Sequence, residues 1–260
     1  MDWGKMLKKL GRFVLTLAFW LLIWQLAAWL VEWKMEGRGN ELLLPYPLSV
    51  AEALRGLCRR PEFWQNVALS LLRVLLGCGF GLVCGCVLAV LTCWHPVLDQ
   101  LLSPAIRVIR ATPVASFILL VLLWTVRTNV PVVIAALMVL TVVWENLSRG
   151  IRAVDGKLLE MAKSYGFSWL KRLRLVYIPS LKPFLAAALT NAMGLAWKSA
   201  IAAEVLCLPL RATGTQIYYA KLYLEIPELF AWTLVIVTLS LALEKCLLWA
   251  LNPRRKGRRE

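Results

Sequence analysis

Long apolar runs separated by short polar segments restrict what this sequence can fold into more than any other feature. Six runs lie near 13–31, 67–93, 104–125, 130–146, 181–206 and 229–250. A membrane-spanning helix needs roughly 20 mostly apolar residues. Hydrophobic residues make up 60% of the 260-residue chain, whereas soluble domains contain about 45–50%. We therefore predict an all-α, polytopic membrane protein with about six transmembrane helices and no separate soluble domain.

The net charge of +15 would suggest nucleic-acid binding in a soluble protein, but its distribution predicts membrane topology instead. Basic residues are concentrated before the first run, at the start of the third, between the fourth and fifth, and in the tail. These four regions share one side of a six-span topology. Because positive charge resists translocation, that side and both termini are predicted to be cytoplasmic. No basic, aromatic surface is left over for nucleic acid.

The chain is predicted to divide into three parts. Residues 1–66 contain the first membrane helix and an amphipathic helix at the outer interface, beginning near Ser49. Residues 67–251 form the transmembrane core, and 252–260 form a basic cytoplasmic tail. The first run lacks a small-residue cleavage site, so we interpret it as a retained helix rather than a secretory signal.

The polar segment 155–179, DGKLLEMAKSYGFSWLKRLRLVYIP, predicts a capped helix pair. Asp155 can cap the first helix, and Gly166 can end it in the left-handed conformation. Ser168 can cap a second short helix, whose length Pro179 limits. Such a pair between apolar runs indicates either a docking element or an amphipathic helix lying on an anionic membrane.

Several polar side chains fall inside the apolar runs, where ionisable groups are costly and usually face a bundle interior or a wet cavity. Thr112 and Ser116 could line a polar path or bond back to their own helix. For Glu204 and Lys198 the alternatives are a pathway role, or contact with outer water and snorkelling. The candidate pathway or gating residues are Arg73, Thr112, Ser116, Asn191, Lys198 and Glu204.

Small residues recur at intervals of four in the second run, at Gly77, Gly81 and Gly85. This spacing lets helix backbones approach closely, and we favour static packing over a contact that slides during transport. Of the seven cysteines, only Cys58 and Cys207 fall on the predicted outside, and a bridge between them is left open.

The polar segment also resembles the "EAA…G…I-x-L-P" loop of bacterial ABC-importer permeases. The matching residues are Glu160, Ala162, Gly166, Val176, Ile178 and Pro179, whereas Met161 departs from the usual Ala. From about Leu44 onward, PYPLSVAEAL, SLLRVLLG and GLAWKSAIAAEVL follow the order of features in the nitrate/sulfonate/taurine class. The resemblance implies an ABC type I importer-like fold in a bacterial inner membrane.

In that family the loop holds a coupling helix that docks on an ATPase. The resemblance therefore implies a docking role for Leu159, Glu160, Met161, Ala162, Tyr165 and Gly166, with Leu159, Ala162 and Tyr165 filling the ATPase groove. A structural role in the loop falls to Asp155, Ser168, Val176, Ile178 and Pro179. The implied partners are a second permease copy, two ATPase subunits, an extracytoplasmic substrate-binding protein and membrane lipid. The chain has no G-x-x-x-x-G-K-[ST] loop, so we expect ATP and Mg²⁺ on the partner and no cofactor here.

The predicted function is thus that of a permease subunit that forms the path for a small sulfonate-, nitrate- or taurine-like solute. Methionine or phosphonate importer classes stay open. The alternative from another class is a secondary transporter or channel working without an ATPase, although paired acids and an inverted repeat are not evident. An enzyme is disfavoured because the single histidine, His95, has no accompanying nucleophile, carboxylate dyad or metal cluster.

Overall fold

The computed structural model describes residues 3–34 and 43–251, without the side chains of 3–10 and 13. The predicted basic tail, 252–260, lies outside these residues. Within the described ranges the chain is helical and has no strand. A five-residue π-helix, Leu173–Tyr177, joins the helices Trp169–Arg172 and Ile178–Cys207. The helices are α1 (Trp3–Lys34), α2 (Pro47–Cys58), α3 (Pro61–Trp94), α4 (Pro96–Ala111), α5 (Val114–Trp124), α6 (Val130–Arg152), α7 (Gly156–Ser164), α8 (Trp169–Arg172), α9 (Ile178–Cys207), α10 (Thr213–Leu222) and α11 (Ile226–Leu251).

Four of the described helices, α1 from Val14 onward, α3, α6 and α11, are long and apolar enough to cross a membrane. The predicted span 104–125 is instead divided between α4 and α5, whose axes differ by 111°. Thr112 is extended at this break, with φ −73° and ψ 133°, because the ring of Pro113 disfavours the helical conformation of the residue before it. If the bent pair counts as one span, the total is five rather than six.

Helix α9 corresponds to the predicted span 181–206, yet it does not meet the same apolar criterion. Its 30 residues measure about 45 Å, enough to cross a bilayer. Polar residues at Asn191, Lys198 and Glu204 lower its mean hydropathy. Alanines spaced along one side, including Ala188, Ala192 and Ala196, are buried where α9 packs on α6. Protein rather than lipid therefore surrounds this side of the helix.

The structure divides into two compact units, the first of which contains residues 1–65 and 216–236. Aromatic contacts hold it together: Trp24 stacks on Phe230, and Phe63 lies against Trp232 with ring centroids 5.0 Å apart. The indole N–H of Trp24 also donates to the carbonyl oxygen of Pro45, at 3.1 Å. Helix α2 buries Val50 and Leu57 but leaves Leu48 exposed.

The second unit contains residues 66–215 and 237–260, and α6 is its central helix. An apolar cluster joins α5, α6 and α9 through Ile118, Ile134 and Ala203. Along α3, the three glycines spaced four residues apart, Gly77, Gly81 and Gly85, face α6. A Cβ atom at Gly77 would lie 2.6 Å from the Cβ of Ala135, and one at Gly85 would lie 2.9 Å from the Cβ of Val143. Any larger residue would force the two helices apart.

Candidate functional site

The predicted docking segment, residues 155–179, begins with a helix that is capped at both ends. The carboxylate of Asp155 accepts a hydrogen bond from the backbone N–H of Lys157, at 2.9 Å. At the other end Gly166 has φ +63°, and the N–H of Phe167 donates to the carbonyl of Ala162, at 2.9 Å. This is the Schellman arrangement that glycine permits. The caps fix both ends of a nine-residue helix, α7.

The faces of α7 differ in exposure. Ala162 is fully buried within the chain, whereas the side chains of Met161 and Tyr165 are 49% and 75% exposed. Leu159 is half-buried, and Glu160 is exposed. The burial of Ala162 excludes it from filling a groove on a partner, contrary to the sequence-based expectation. Because Ala162 faces the rest of the chain, Met161 and Tyr165 are left exposed on the outer side of α7.

The second half of the docking segment differs from the prediction. Ser168 precedes α8 with an extended backbone, but its hydroxyl makes no capping hydrogen bond. Pro179 does not end a helix. It lies in the first turn of α9, where a missing N–H is tolerated. The π-helical turn continues the chain into α9, with the N–H of Ile178 donating to the carbonyl of Leu173. Val176 is buried in this turn.

A buried polar network surrounds Glu204, which has no exposed surface. One carboxylate oxygen, Oε2, accepts hydrogen bonds from the hydroxyl of Ser70 at 2.8 Å, the hydroxyl of Thr213 at 3.2 Å and the backbone N–H of Gly214 at 3.0 Å. The other oxygen pairs with the guanidinium of Arg73, at 3.3 Å. A buried charge is tolerated when it is paired and hydrogen-bonded in this way.

Arg73 also fixes the loop that follows α9. Its guanidinium donates to the carbonyl oxygens of Leu210 and Arg211, at 3.0 and 3.1 Å. Leu208 and Arg211 both have φ 53°, a left-handed conformation that costs a non-glycine residue about 1–3 kcal/mol. The Arg73–Glu204 pair thus connects α3 and α9 to a strained turn.

Sequence reasoning identified Arg73 and Glu204 but missed Ser70, Thr213 and Gly214. Gly214 carries a signal in the sequence, since a glycine between two apolar runs indicates a turn or a close approach of two backbones. A Cβ there would lie 2.8 Å from the carbonyl oxygen of Ile201, so α10 can approach α9 only at a glycine. No periodicity in the sequence indicates that Ser70 and Thr213 meet 143 residues apart.

The other candidate pathway residues do not join this network. Asn191, Lys198 and Ser116 are exposed on the chain, and the hydroxyl of Thr112 donates back to the carbonyl of Val108, at 2.8 Å. Thr112 therefore takes the second of its two predicted roles. Among the cysteines, Cys58 is exposed, Cys207 is buried, and both are free thiols.

Comparison with known proteins shows that the sequence matches a family of transport proteins. The model of the "Binding-protein-dependent transport system inner membrane component" family matches residues 81–257, more than half of the chain. This chain belongs to that family. The permease is therefore a membrane-spanning transport subunit of an ABC importer and not an enzyme. With its several apolar helices, it is a multi-pass protein.

The relatives of the permease cover most of its length. The putative aliphatic sulfonates transport permease protein SsuC of Escherichia coli strain K12 is 31% identical over 205 residues, 75% of this chain and 74% of that protein. The bicarbonate transport system permease protein CmpB of Synechococcus elongatus is 26% identical, covering 85% of this chain and 84% of CmpB. The taurine transport system permease protein TauC of E. coli is 25% identical, covering 79% and 76%.

The fold of the permease also matches a solved structure. A crystal structure of an amino acid ABC transporter with histidines superposes with a TM-score of 0.60 at 22% identity, covering 75% of this chain and 94% of that one. Family membership implies a separate ATPase, which binds ATP, and a substrate-binding protein as partners.

Proposed function

We propose that two copies of this permease form the translocation path in a bacterial inner membrane, with both termini and the docking segment in the cytoplasm. The docking segment would receive the motion of an ATPase dimer and transmit it to the membrane helices. The basic residues of the 147–182 region support this orientation, because they resist translocation.

The observation that carries the proposal is the capped helix α7, which presents exposed apolar side chains. In the chain, α7 lies between α6 and α9, two long helices of the second unit. Met161 and Tyr165 point away from the chain, while Ala162 holds the inner face against it. Helix α6 precedes the docking segment and α9 follows it, and the two pack along each other. A rigid α7 pushed by a partner would therefore move α6 and α9 together.

For the substrate, we propose a small solute with a sulfonate or carboxylate-like oxyanion. The three relatives above are described as transporters of aliphatic sulfonates, taurine and bicarbonate. The direct test is uptake of radiolabelled ethanesulfonate, taurine and bicarbonate by cells that express the permease with its ATPase and binding protein. Uptake of none of the three would reject this substrate class.

Docking can be tested by placing the photoreactive amino acid benzoylphenylalanine at Tyr165. We expect an ATP-sensitive cross-link to the ATPase in the assembled complex. The matched control is the same probe at Leu123, which is 76% exposed on the apolar helix α5 and should yield lipid adducts. Lipid adducts alone at position 165 would favour the membrane-surface alternative for this segment.

The rival function, a secondary transporter or channel, differs in its energy requirement. In proteoliposomes we expect no uptake by the purified permease alone and uptake dependent on ATP when all subunits are present. Uptake by the permease alone, driven by an ion gradient, would contradict the proposal.

A further inference from the structure

Helices α4 and α6 carry matching polar stripes that face each other across a cavity of about 390 Å³. Each helix contributes one carboxylate followed by two arginines that are three residues apart. The charged residues lining the cavity are Asp99, Arg107 and Arg110 on α4 and Glu145, Arg149 and Arg152 on α6. The volume lies at the lower end of the roughly 300–1,000 Å³ typical of small-ligand sites.

Ion pairs cross between the two helices in opposite directions. Arg152 of α6 bonds to Asp99 of α4, at 2.9 Å, and Arg110 of α4 pairs with Glu145 of α6. Arg149 also reaches Glu145 along its own helix. These contacts hold the guanidinium groups around the cavity and use only a few of the five N–H donors that each one carries.

The charges around the cavity do not balance. Four guanidinium groups against two carboxylates leave a net charge of +2. Within the described residues, Arg107 has no carboxylate at ion-pair distance, although Asp99 acts on it electrostatically. The four arginines are exposed, so water screens part of this excess positive charge. The charge that is not screened is unfavourable, and a bound anion would relieve it.

A second, independent observation points to a ligand in this cavity. Ser148 lines the same cavity and is only 8% exposed. Its hydroxyl oxygen is buried and has no hydrogen-bond partner among the described residues. A helical serine usually bonds back to the carbonyl four residues earlier, and leaving a buried hydroxyl unpaired is costly. A group inside the cavity could satisfy it.

We propose that this cavity binds an oxyanion, a sulfonate, sulfate or phosphate group, with Arg107 and Ser148 as direct ligands. Guanidinium groups bind such anions through paired, charge-assisted hydrogen bonds. The position of the site at the cytoplasmic end of the bundle rests on the topology proposed above. The anion can come from a soluble molecule or from a phospholipid headgroup, since both present the same chemistry. Bound there, it would bridge α4 to α6, which leads directly into the docking segment.

The test is calorimetric titration of inorganic sulfate into the full-length permease in phosphatidylcholine nanodiscs. We expect Arg107→Gln to weaken sulfate binding about tenfold, and Ser148→Ala to weaken it about fivefold. The matched control is Arg12→Gln, which removes one exposed arginine from the same predicted side but outside the cavity. It should leave binding unchanged, which separates the site from the general stabilising action of sulfate.

A parallel series in nanodiscs containing phosphatidylglycerol distinguishes the two sources. If lipid headgroups occupy the cavity, sulfate will not bind in the anionic discs. The unfolding temperature will then rise with phosphatidylglycerol in the unmodified permease and rise less in the Arg107 and Ser148 variants. Equal behaviour of these variants and Arg12→Gln in both series would overturn the proposal. The titration needs neither the ATPase nor transport, so its failure would not bear on the docking segment, which the cross-link at Tyr165 tests separately.

Discussion

Glu204 has no access to solvent, and four neighbouring groups donate hydrogen bonds to its carboxylate. Replacing it with glutamine would leave Arg73 buried without a counter-charge. We expect Glu204→Gln to lower the free energy of unfolding by about 3–5 kcal/mol, as for other broken buried pairs. Denaturation in detergent, followed by tryptophan fluorescence, measures this change.

Lys198→Gln is the matched control for that prediction. Lys198 lies on the same helix but is exposed, so its loss should change stability by no more than about 0.5 kcal/mol. Removing both charges, as in Arg73→Met with Glu204→Gln, should cost less than the single change, because no buried charge is then left unpaired. Equal stability of the Lys198 and Glu204 variants would contradict this account of the network.

Residue-scale chemistry was predictable from the sequence only in part. Burying an ionisable group in an apolar run is costly whatever the fold, so Glu204 and Arg73 stood out at once. Their partnership did not, because 131 residues separate them and no local period relates them. The caps Asp155 and Gly166 were predicted correctly, since a cap depends on neighbours within a few residues.

Gly166 is the residue on which the geometry of the docking segment depends most directly. An alanine there would keep a left-handed conformation, with φ +63°, at a cost of about 1–2 kcal/mol. We expect Gly166→Ala to reduce uptake severalfold while ATP hydrolysis by the complex falls less. Gly156→Ala is the control, because that glycine has open space around it and no positive φ. If both variants transport alike, α7 does not act as a rigid connection.

At the scale of elements, α3 and α6 are held at close range by glycines rather than by large side chains. A methyl group at Gly81 would lie 2.7 Å from the Cβ of Val139. We expect Gly81→Ala to destabilise the permease by about 1–3 kcal/mol, the usual cost of overpacking. Its unfolding in detergent should be compared with that of Gly79→Ala. That site faces open space on the same helix, so the change should be neutral or slightly stabilising.

Hydropathy located the helices more reliably than it located their breaks. Residues 104–125 read as one apolar run, but Pro113 divides them into two helices that meet at 111°. Pro179 was expected to limit the length of a helix and instead lies in the first turn of α9, where its missing N–H is tolerated. A proline thus predicts a local interruption of hydrogen bonding, while the direction the chain takes afterwards depends on packing.

For the whole molecule, one exposed face of α9 is unsuited to lipid. Asn191, Leu195 and Lys198 lie on this face at spacings of four and three residues, and all three are exposed on the single chain. A charged and an amide side chain directed into hydrocarbon would be costly. A second copy of the permease, or an aqueous path between two copies, would resolve this cost.

We therefore expect the face of α9 to lie at the boundary between two permease copies. Benzoylphenylalanine at Leu195 should produce a cross-linked permease dimer in membranes, detected as a doubled mass with differently tagged copies. The same probe at Leu241, which is 54% exposed on α11, should give lipid adducts, because Val237 and Leu248 on the same helix are also exposed apolar side chains. Cross-links at Leu241 but not at Leu195 would place the boundary on another helix. The polar face of α9 would then need an occupant other than a second copy.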